Sequence, residues 1–117
     1  MHQQSQLDIL AETSNGYVSQ CTCCHEFNLT YKNVLLVFDE DSMFRFFDWV
    51  IGYRNSLENY QPLPHGRNRL YSSPHSNLYL VFNDEEIDEL EILFAEVQLV
   101  REARRITSCN KAPSNDN

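Results

Sequence analysis

A six-residue apolar segment that occurs twice, 44 residues apart, constrains the fold of this chain more than any other feature. Residues 33–38 (Asn-Val-Leu-Leu-Val-Phe) and 77–82 (Asn-Leu-Tyr-Leu-Val-Phe) are identical at four of six positions. Each segment is followed by Asp or Asn, then by acids, then by apolar residues at helical spacing. Any strand that precedes a capped helix needs residue types in this order, so physical chemistry explains part of the match. The pattern predicts two strand–cap–helix units and leaves an internal ββα duplication open.

The segments before the first helix have the composition of strands. Tyr17–Thr22 is rich in β-formers, and apolar residues alternate with polar ones over residues 27–31, which is typical of a half-buried strand. Lys32 and Asn33 suit a tight hairpin turn, because Asn tolerates positive φ. Val34–Phe38 is apolar at every position, which predicts a central strand that is buried on both faces.

Both helices have a recognisable first turn. Asp39 is predicted to cap a helix that runs to about Ile51 and ends near Gly52. Asn83 and Glu86 have the spacing of a capping box at the start of a second helix. The apolar residues expected on the buried stripes are Met43, Phe46, Phe47 and Val50 in the first helix, and Ile87, Leu90, Phe94, Val97 and Val100 in the second.

These elements predict an α+β fold in the order βββαββα. Because one ββα unit buries too little apolar surface to be stable, we expect a single antiparallel sheet of about five strands. Both helices should cover one face of that sheet. The expected boundaries are a flexible N-terminal arm over residues 1–15, a single α+β domain over residues 16–106 and a disordered tail over residues 107–117.

Charge and hydropathy exclude several classes of partner. The chain has 17 acidic residues against 9 Lys and Arg, a net charge of −8, so neither nucleic acid nor an anionic membrane is expected to bind it. The longest apolar run, Val34–Phe38, is too short to span a bilayer. Residues 1–6 carry no basic segment of the kind that begins an export signal, which favours a cytoplasmic location.

A short cysteine cluster is the part of the sequence with the most chemical promise. Cys21 and Cys24 have the Cys-x-x-Cys spacing of a zinc knuckle, at the tip of a predicted strand–turn–strand. Structural zinc needs four ligands, and the candidates for the other two are Cys23, His25, His65, His75 and Cys109. A second Cys pair is missing, so the leading prediction is reduced thiols with no cofactor. Bound zinc is the alternative.

No catalytic residues are predicted. The cysteines lead into an alternating strand, whereas redox cysteines are activated at a helix N-terminus. Cys24 and His25 are adjacent, and neighbours in an extended chain point to opposite faces, so they make a poor nucleophile and base. The acids over residues 84–91 fit the first turns of an amphipathic helix. We therefore expect a protein that is not an enzyme.

Three apolar side chains of the first helix, Phe44, Trp49 and Ile51, lie off its buried stripe. A short helix that is apolar nearly all round is either deeply buried or part of an interface. These residues are predicted to form a contact surface for a protein partner or for a second copy of the chain. The alternative is that Leu7 and Leu10 of the N-terminal arm cover them.

The succession of motifs resembles a known family. Gly16-Tyr-Val-Ser-Gln-Cys21-x-x-Cys24 is followed by Phe27-x-Leu-x-Tyr-x-Asn33 and by two units of strand, acidic cap and helix. This pattern, over about residues 13–97, resembles a family of small uncharacterised proteins from Bacteroidota. The resemblance implies no activity, because the family is one of unknown function. Two features depart from its pattern: Cys23 between the paired cysteines, and a connection over residues 53–67 that is rich in Pro and Asn.

Taken together, the sequence predicts a non-catalytic module that acts through protein contacts, in an interaction or regulatory role. The alternative is a small zinc-binding domain in which the Cys21–Cys24 turn is a structural or sensing site. Metal content separates the two predictions.

Overall fold

The computed structural model of the chain describes residues 7–73 and 75–111, with side chains as far as Thr107. Within those residues it has six strands, two α-helices and two short 3-10 turns, which confirms the predicted α+β class. The strands are β1 (Leu7–Thr13), β2 (Gly16–Cys21), β3 (Phe27–Tyr31), β4 (Val34–Phe38), β5 (Arg69–Ser72) and β6 (Tyr79–Phe82). The helices are α1 (Glu40–Gly52) and α2 (Asp84–Lys111), and the 3-10 turns are Leu57–Asn59 and Pro64–Gly66.

The described residues divide into two compact units. One unit comprises the chain up to Val37 together with Leu93 onward, and the other comprises Phe38–Ile92. The helix α2 therefore contributes residues 84–92 to the second unit and residues 93–111 to the first. The single domain expected over residues 16–106 stays a prediction.

The strands form two sheets, so the prediction of one sheet of about five strands is wrong. Strands β1 to β4 form a four-stranded antiparallel sheet in chain order, and β5 pairs with β6 in a separate antiparallel hairpin. The element order has four strands before α1, and not the three that we predicted. Pairing between neighbours in sequence closes short loops and so costs less chain entropy than pairing between the two halves.

The N-terminal segment is the missed strand. Residues 7–13 pair with β2 from Leu7 opposite Cys21 to Thr13 opposite Gly16, which corrects the prediction of a flexible arm over residues 1–15. A bulge between Ile9 and Ala11 breaks the alternation of buried and exposed residues, and this break hides the strand from a period-two search. Residues 1–6 lie outside the described residues.

Gly16 begins β2 at a close approach between strands. A Cβ atom at this position would lie 2.3 Å from the carbonyl oxygen of Thr30 and 3.0 Å from Cα of Tyr31. Since Gly16 is opposite Tyr31 in the β2–β3 register, a side chain here would push the two strands apart. Only glycine, which has no Cβ atom, therefore fits at the start of this strand without displacing β3.

Strand β4 lies at an edge of its sheet, whereas we predicted a central position. Leu36 and Phe38 are buried, but Leu35 is 50% exposed and Val37 is 45% exposed. The equivalent positions of β6 follow the same order, with Leu80 and Phe82 buried and Tyr79 exposed. Strand β4 is therefore apolar on both faces, but only the face of Leu36 and Phe38 is buried, and the face of Leu35 and Val37 is exposed. The duplication of the ββα unit stays a prediction.

The predicted starts of the helices are confirmed. The Asp39 carboxylate accepts the Ser42 N–H at 2.8 Å, and α1 ends at Gly52. The Asn83 side chain accepts the Glu86 N–H at 2.8 Å, while the Glu86 carboxylate accepts the Asn83 N–H at 2.9 Å. These reciprocal bonds form the capping box. The expected stripe of α1 is buried, and so is that of α2 apart from Val100, which is half-buried.

Helix α2 continues to Lys111, which corrects the disordered tail predicted from residue 107. Arg104 contacts the Asp8 carboxylate of β1 at 2.5 Å, and the Thr107 hydroxyl donates to the Ala103 carbonyl at 2.9 Å. These bonds support the last turns, whose side chains are largely exposed. Residues 112–117 lie outside the described residues. Neither described helix is long and apolar enough to cross a membrane.

The core of the second unit is built around Tyr71. This side chain is fully buried, its hydroxyl donates to the Val50 carbonyl at 3.1 Å, and its ring meets Trp49 edge to face at 5.0 Å. Arg54 pairs with Asp88 at 2.6 Å and with Glu91 at 3.0 Å. Hydrogen bonds and ion pairs thus link α1 and the segment after it to β5 and to the start of α2.

Candidate metal centre

The connection from β2 to β3 is a tight loop that brings its cysteines together. The Cys21 N–H donates to the Glu26 carbonyl at 2.8 Å, and the His25 N–H donates to the Cys21 carbonyl at 3.0 Å. His25 has a positive φ of 64°, which turns the chain back toward β3. The loop is therefore closed by its own backbone, and its side chains project from a defined frame.

Three sulfur atoms converge in this loop. The Sγ atoms of Cys21, Cys23 and Cys24 all lie within 4.8 Å of one another, and those of Cys21 and Cys23 are 3.2 Å apart. Sulfur ligands of a tetrahedral zinc ion are about 3.8 Å apart, given Zn–S bonds of about 2.3 Å. The observed spacing brackets that value, so small side-chain rotations suffice to bring the three sulfurs onto one metal ion.

The three thiols differ in exposure. Cys21 is fully buried at the end of β2, whereas Cys23 and Cys24 are exposed. The Cys24 N–H donates to Cys21 Sγ at 3.4 Å, and the Cys24 thiol lies 3.6 Å from the Glu26 carboxylate. The cluster thus has one buried sulfur, which accepts a backbone hydrogen bond, and two sulfurs that solvent can reach.

The electrostatics of the loop give the three thiols different pKa values, one lowered and two raised. Burial raises the pKa of Cys21, but hydrogen bonds from Cys24 and Cys23 outweigh it and lower that pKa to about 6. The hydrogen bond with Cys21, with burial and the Cys21 charge, raises the pKa of Cys23. A backbone hydrogen bond at Glu26 lowers the pKa of Cys24, yet Cys21, burial and the Glu26 carboxylate together raise it to about 11. At neutral pH the cluster holds one thiolate and two thiols.

The structure brings together only part of the predicted ligand set. Within residues 7–73 and 75–107, the clustered ligand atoms are those of the three cysteines, and His25, His65 and His75 are not among them. His65 lies exposed in the 3-10 turn Pro64–Gly66 of the second unit. The Cys109 side chain lies outside the described residues. Cys23, which lies between the paired cysteines in sequence, is the residue that completes the triad.

Sequence reasoning missed Glu26, whose carboxylate lies outside the group of three clustered sulfurs but contacts one of them. Its carboxylate lies beside Cys24, and its backbone closes the loop. An acid two residues after a Cys-x-x-Cys pair is too common on protein surfaces to indicate a ligand. Only the return of the chain into β3 brings the carboxylate close to the thiols.

The predicted contact surface of α1 does not form one patch. Phe44, Trp49 and Ile51 are all half-buried. Five residues of an α-helix turn by about 500°, which leaves Phe44 and Trp49 about 140° apart around the axis. Trp49 instead lines a groove of about 390 Å³ with residues of α1 and β5. The residues that line this groove are Phe38, Ser42, Arg45, Phe46, Trp49, Ser72 and Ser73.

Comparison with known proteins gives one match. Residues 1–110 match a family described as a family of unknown function (DUF6686). The chain belongs to that family. Membership of DUF6686 confirms the resemblance to an uncharacterised family, while the link to Bacteroidota and the details of the family motifs stay predictions. No curated protein and no solved structure matches the chain significantly.

Proposed function

We propose that this DUF6686 protein is a small non-catalytic binding module that holds a zinc ion through Cys21, Cys23 and Cys24. The observation that carries the proposal is the convergence of three sulfur atoms within 4.8 Å in one short loop. Thiolates are soft ligands that favour zinc among the common divalent ions of cells. Thiols remain available for zinc in a reducing compartment, so the proposal places the protein in the cytoplasm.

The electrostatics of the loop favour a cation. A neighbouring negative charge at Cys21 makes the loss of protons from Cys23 and Cys24 unfavourable. A divalent ion between the sulfurs replaces this repulsion by attraction, and coordinated thiols are deprotonated. Zinc binding to this loop therefore releases protons, and its affinity rises with pH.

Glu26 is the side chain we assign to the fourth ligand position. Its carboxylate already lies 3.6 Å from Cys24 Sγ, and carboxylate oxygen is an ordinary zinc ligand. A site with three thiolates and one carboxylate from a surface loop is accessible to solvent. It is suited to reversible occupancy, which a sensing or regulatory module needs.

The test is the zinc content of the purified, untagged protein, measured after exposure to equimolar zinc and removal of the excess. We expect about one zinc per chain. Cys23→Ser and Cys24→Ser should each reduce affinity by roughly ten- to a hundredfold or more, and Glu26→Gln should weaken binding with the thiols intact.

His25→Asn is the matched control, because Asn tolerates the positive φ of this position while the imidazole is lost. It should bind zinc like the parent protein. Zinc content well below one per two chains in the parent protein contradicts the proposal, and loss of zinc in His25→Asn shows that the ligand set is wrong.

A second candidate function is a protein contact at the groove beside Trp49. The indole is half-buried against Tyr71, and the lining of the groove includes Phe38, Phe46 and Arg45. Trp and Arg are enriched among residues that dominate binding energy. The occupant we propose is a second copy of this chain, with one of its 17 acidic side chains paired to Arg45.

A further inference from the structure

The four-stranded sheet has a second face that is apolar and incompletely covered. Cross-strand neighbours share a face, and the register places Ser19 between Ile9 of β1 and Asn28 of β3. The opposite face carries Phe27, whose ring lies 5.6 Å from the Arg101 guanidinium of α2. The helix therefore lies against the Phe27 face, and the Ser19 face is the other one.

Three large apolar side chains on the four-stranded sheet are exposed. Ile9 is 49% exposed, Leu35 is 50% exposed and Val37 is 45% exposed. Leu35 and Val37, but not Ile9, line a groove of about 430 Å³, which is within the size range of small-molecule sites. The residues that line it are Leu7, Tyr17, Ser19, Glu26, Asn28, Leu35 and Val37.

A buried hydroxyl in this groove has no hydrogen-bond partner among the residues that the structure describes. Ser19 is fully buried, it lines the groove, and its Oγ atom is unpaired among the described protein atoms. The Thr30 hydroxyl, on the cross-strand partner of Tyr17, is also buried and unpaired. An unpaired buried hydroxyl is unfavourable, and a group that enters the groove can remove that cost.

We propose that this groove binds a small, uncharged, mainly apolar molecule with one carbonyl or hydroxyl oxygen that hydrogen-bonds to Ser19. Leu7, Leu35 and Val37 of the lining fit an apolar body, and the recessed Ser19 hydroxyl supplies one point of orientation. Glu26 is the charged residue of the lining and it is acidic, so an anionic ligand such as a fatty-acid carboxylate is disfavoured. The proposal does not rest on zinc binding, although Glu26 of the lining is also the side chain assigned to the fourth zinc ligand position.

The experiment uses Prodan, a neutral naphthyl ketone whose fluorescence reports an apolar environment. We expect saturable binding of one Prodan per chain, with a blue-shifted emission, by the full-length protein. Ser19→Ala should weaken binding about fivefold, because one hydrogen bond is lost. The same variant should unfold at a higher temperature in the absence of Prodan, since the unpaired hydroxyl is gone. If the Ser19 hydroxyl had only a structural role, Ser19→Ala would not both weaken Prodan binding and raise the unfolding temperature.

Leu35→Glu places a charge on the exposed side of β4 and should abolish Prodan binding while zinc content stays unchanged. Leu57→Glu is the matched control, because Leu57 is 87% exposed in a 3-10 turn of the second unit. Circular dichroism establishes that each variant is folded. Equal Prodan affinity in the parent protein, Ser19→Ala and Leu35→Glu would overturn the proposal. It is also overturned if the parent protein does not bind Prodan and Leu35→Glu converts a dimer to a monomer, because the face is then an interface between copies.

Discussion

At the scale of single residues, the most informative comparison is between Asp39 and Asn83. Each lies directly after a strand and each accepts a hydrogen bond from the backbone N–H three residues on. Both roles follow from sequence, because a short polar side chain before an acidic turn has few other uses. The two caps differ in charge, and this makes one of them sensitive to pH.

Asp39 is expected to contribute pH-dependent stability. Hydrogen bonds from the Ser42 backbone and side chain lower the pKa of Asp39 below its usual value of 3.8, and Arg45 adds to the effect. A carboxylate with a lowered folded-state pKa stabilises the fold above its unfolded-state pKa, and that contribution is lost as pH falls through the folded-state pKa. Asp39→Asn keeps an acceptor for Ser42 and should therefore lose less stability on acidification below about pH 4.

The measurement is the free energy of unfolding in urea for both proteins from neutral pH into the acid range. Asp41→Asn serves as control, because it removes one negative charge from the same turn at a residue that does not accept the cap hydrogen bond. Parallel acid profiles for the parent protein and Asp39→Asn would show that this carboxylate does not act as described.

At the scale of elements, periodicity located five of the six strands and both helices, but failed at β1 and misjudged β4. The bulge between Ile9 and Ala11 shifts the side-chain alternation, so β1 has no clean period of two. In β4, apolar residues on both faces predicted burial, whereas Leu35 and Val37 are exposed. Local pattern reports which residues prefer burial, and the position of a strand in its sheet depends on the strands beside it.

The β2–β3 pair gives a prediction at this scale. Gly16→Ala should destabilise the protein by about 2 kcal/mol, because the new methyl group would collide with the Thr30 carbonyl and separate the strands. Gly52→Ala is the control, since no atom lies within 4 Å of a Cβ placed there. Thermal unfolding of both variants provides the measurement. A Gly16→Ala protein as stable as Gly52→Ala would mean that the strands separate at this point without cost.

At the scale of the whole molecule, each compact unit carries a groove within the described residues. The groove at Trp49 leads to a prediction about assembly. Sedimentation velocity over a micromolar concentration series should show a dimer that dissociates in Trp49→Ala and in Arg45→Glu. Leu57→Glu should dimerise like the parent protein, because Leu57 lines neither groove.

The sedimentation series also separates the two grooves. A parent protein that is monomeric at every concentration contradicts dimerisation through Trp49. A dimer that dissociates in Leu35→Glu but not in Trp49→Ala assigns self-association to the open sheet face. That result would remove both the Trp49 contact and the Prodan site.

The amino-acid sequence by itself determined the class of the fold, the caps at Asp39 and Asn83, the buried stripe of α1 and the turn that carries the cysteines. These features depend on residues close in sequence, whose order and spacing indicate whether a segment prefers a helix, a strand or a turn. Only the tertiary structure decided that β4 and β6 belong to different sheets and that one face of β4 is open. It also decided that the Sγ atoms of Cys21 and Cys23 are 3.2 Å apart and that Ser19 lines a groove. Those outcomes depend on which strands pair and how tightly a loop closes, and both are set by competition among all segments of the chain.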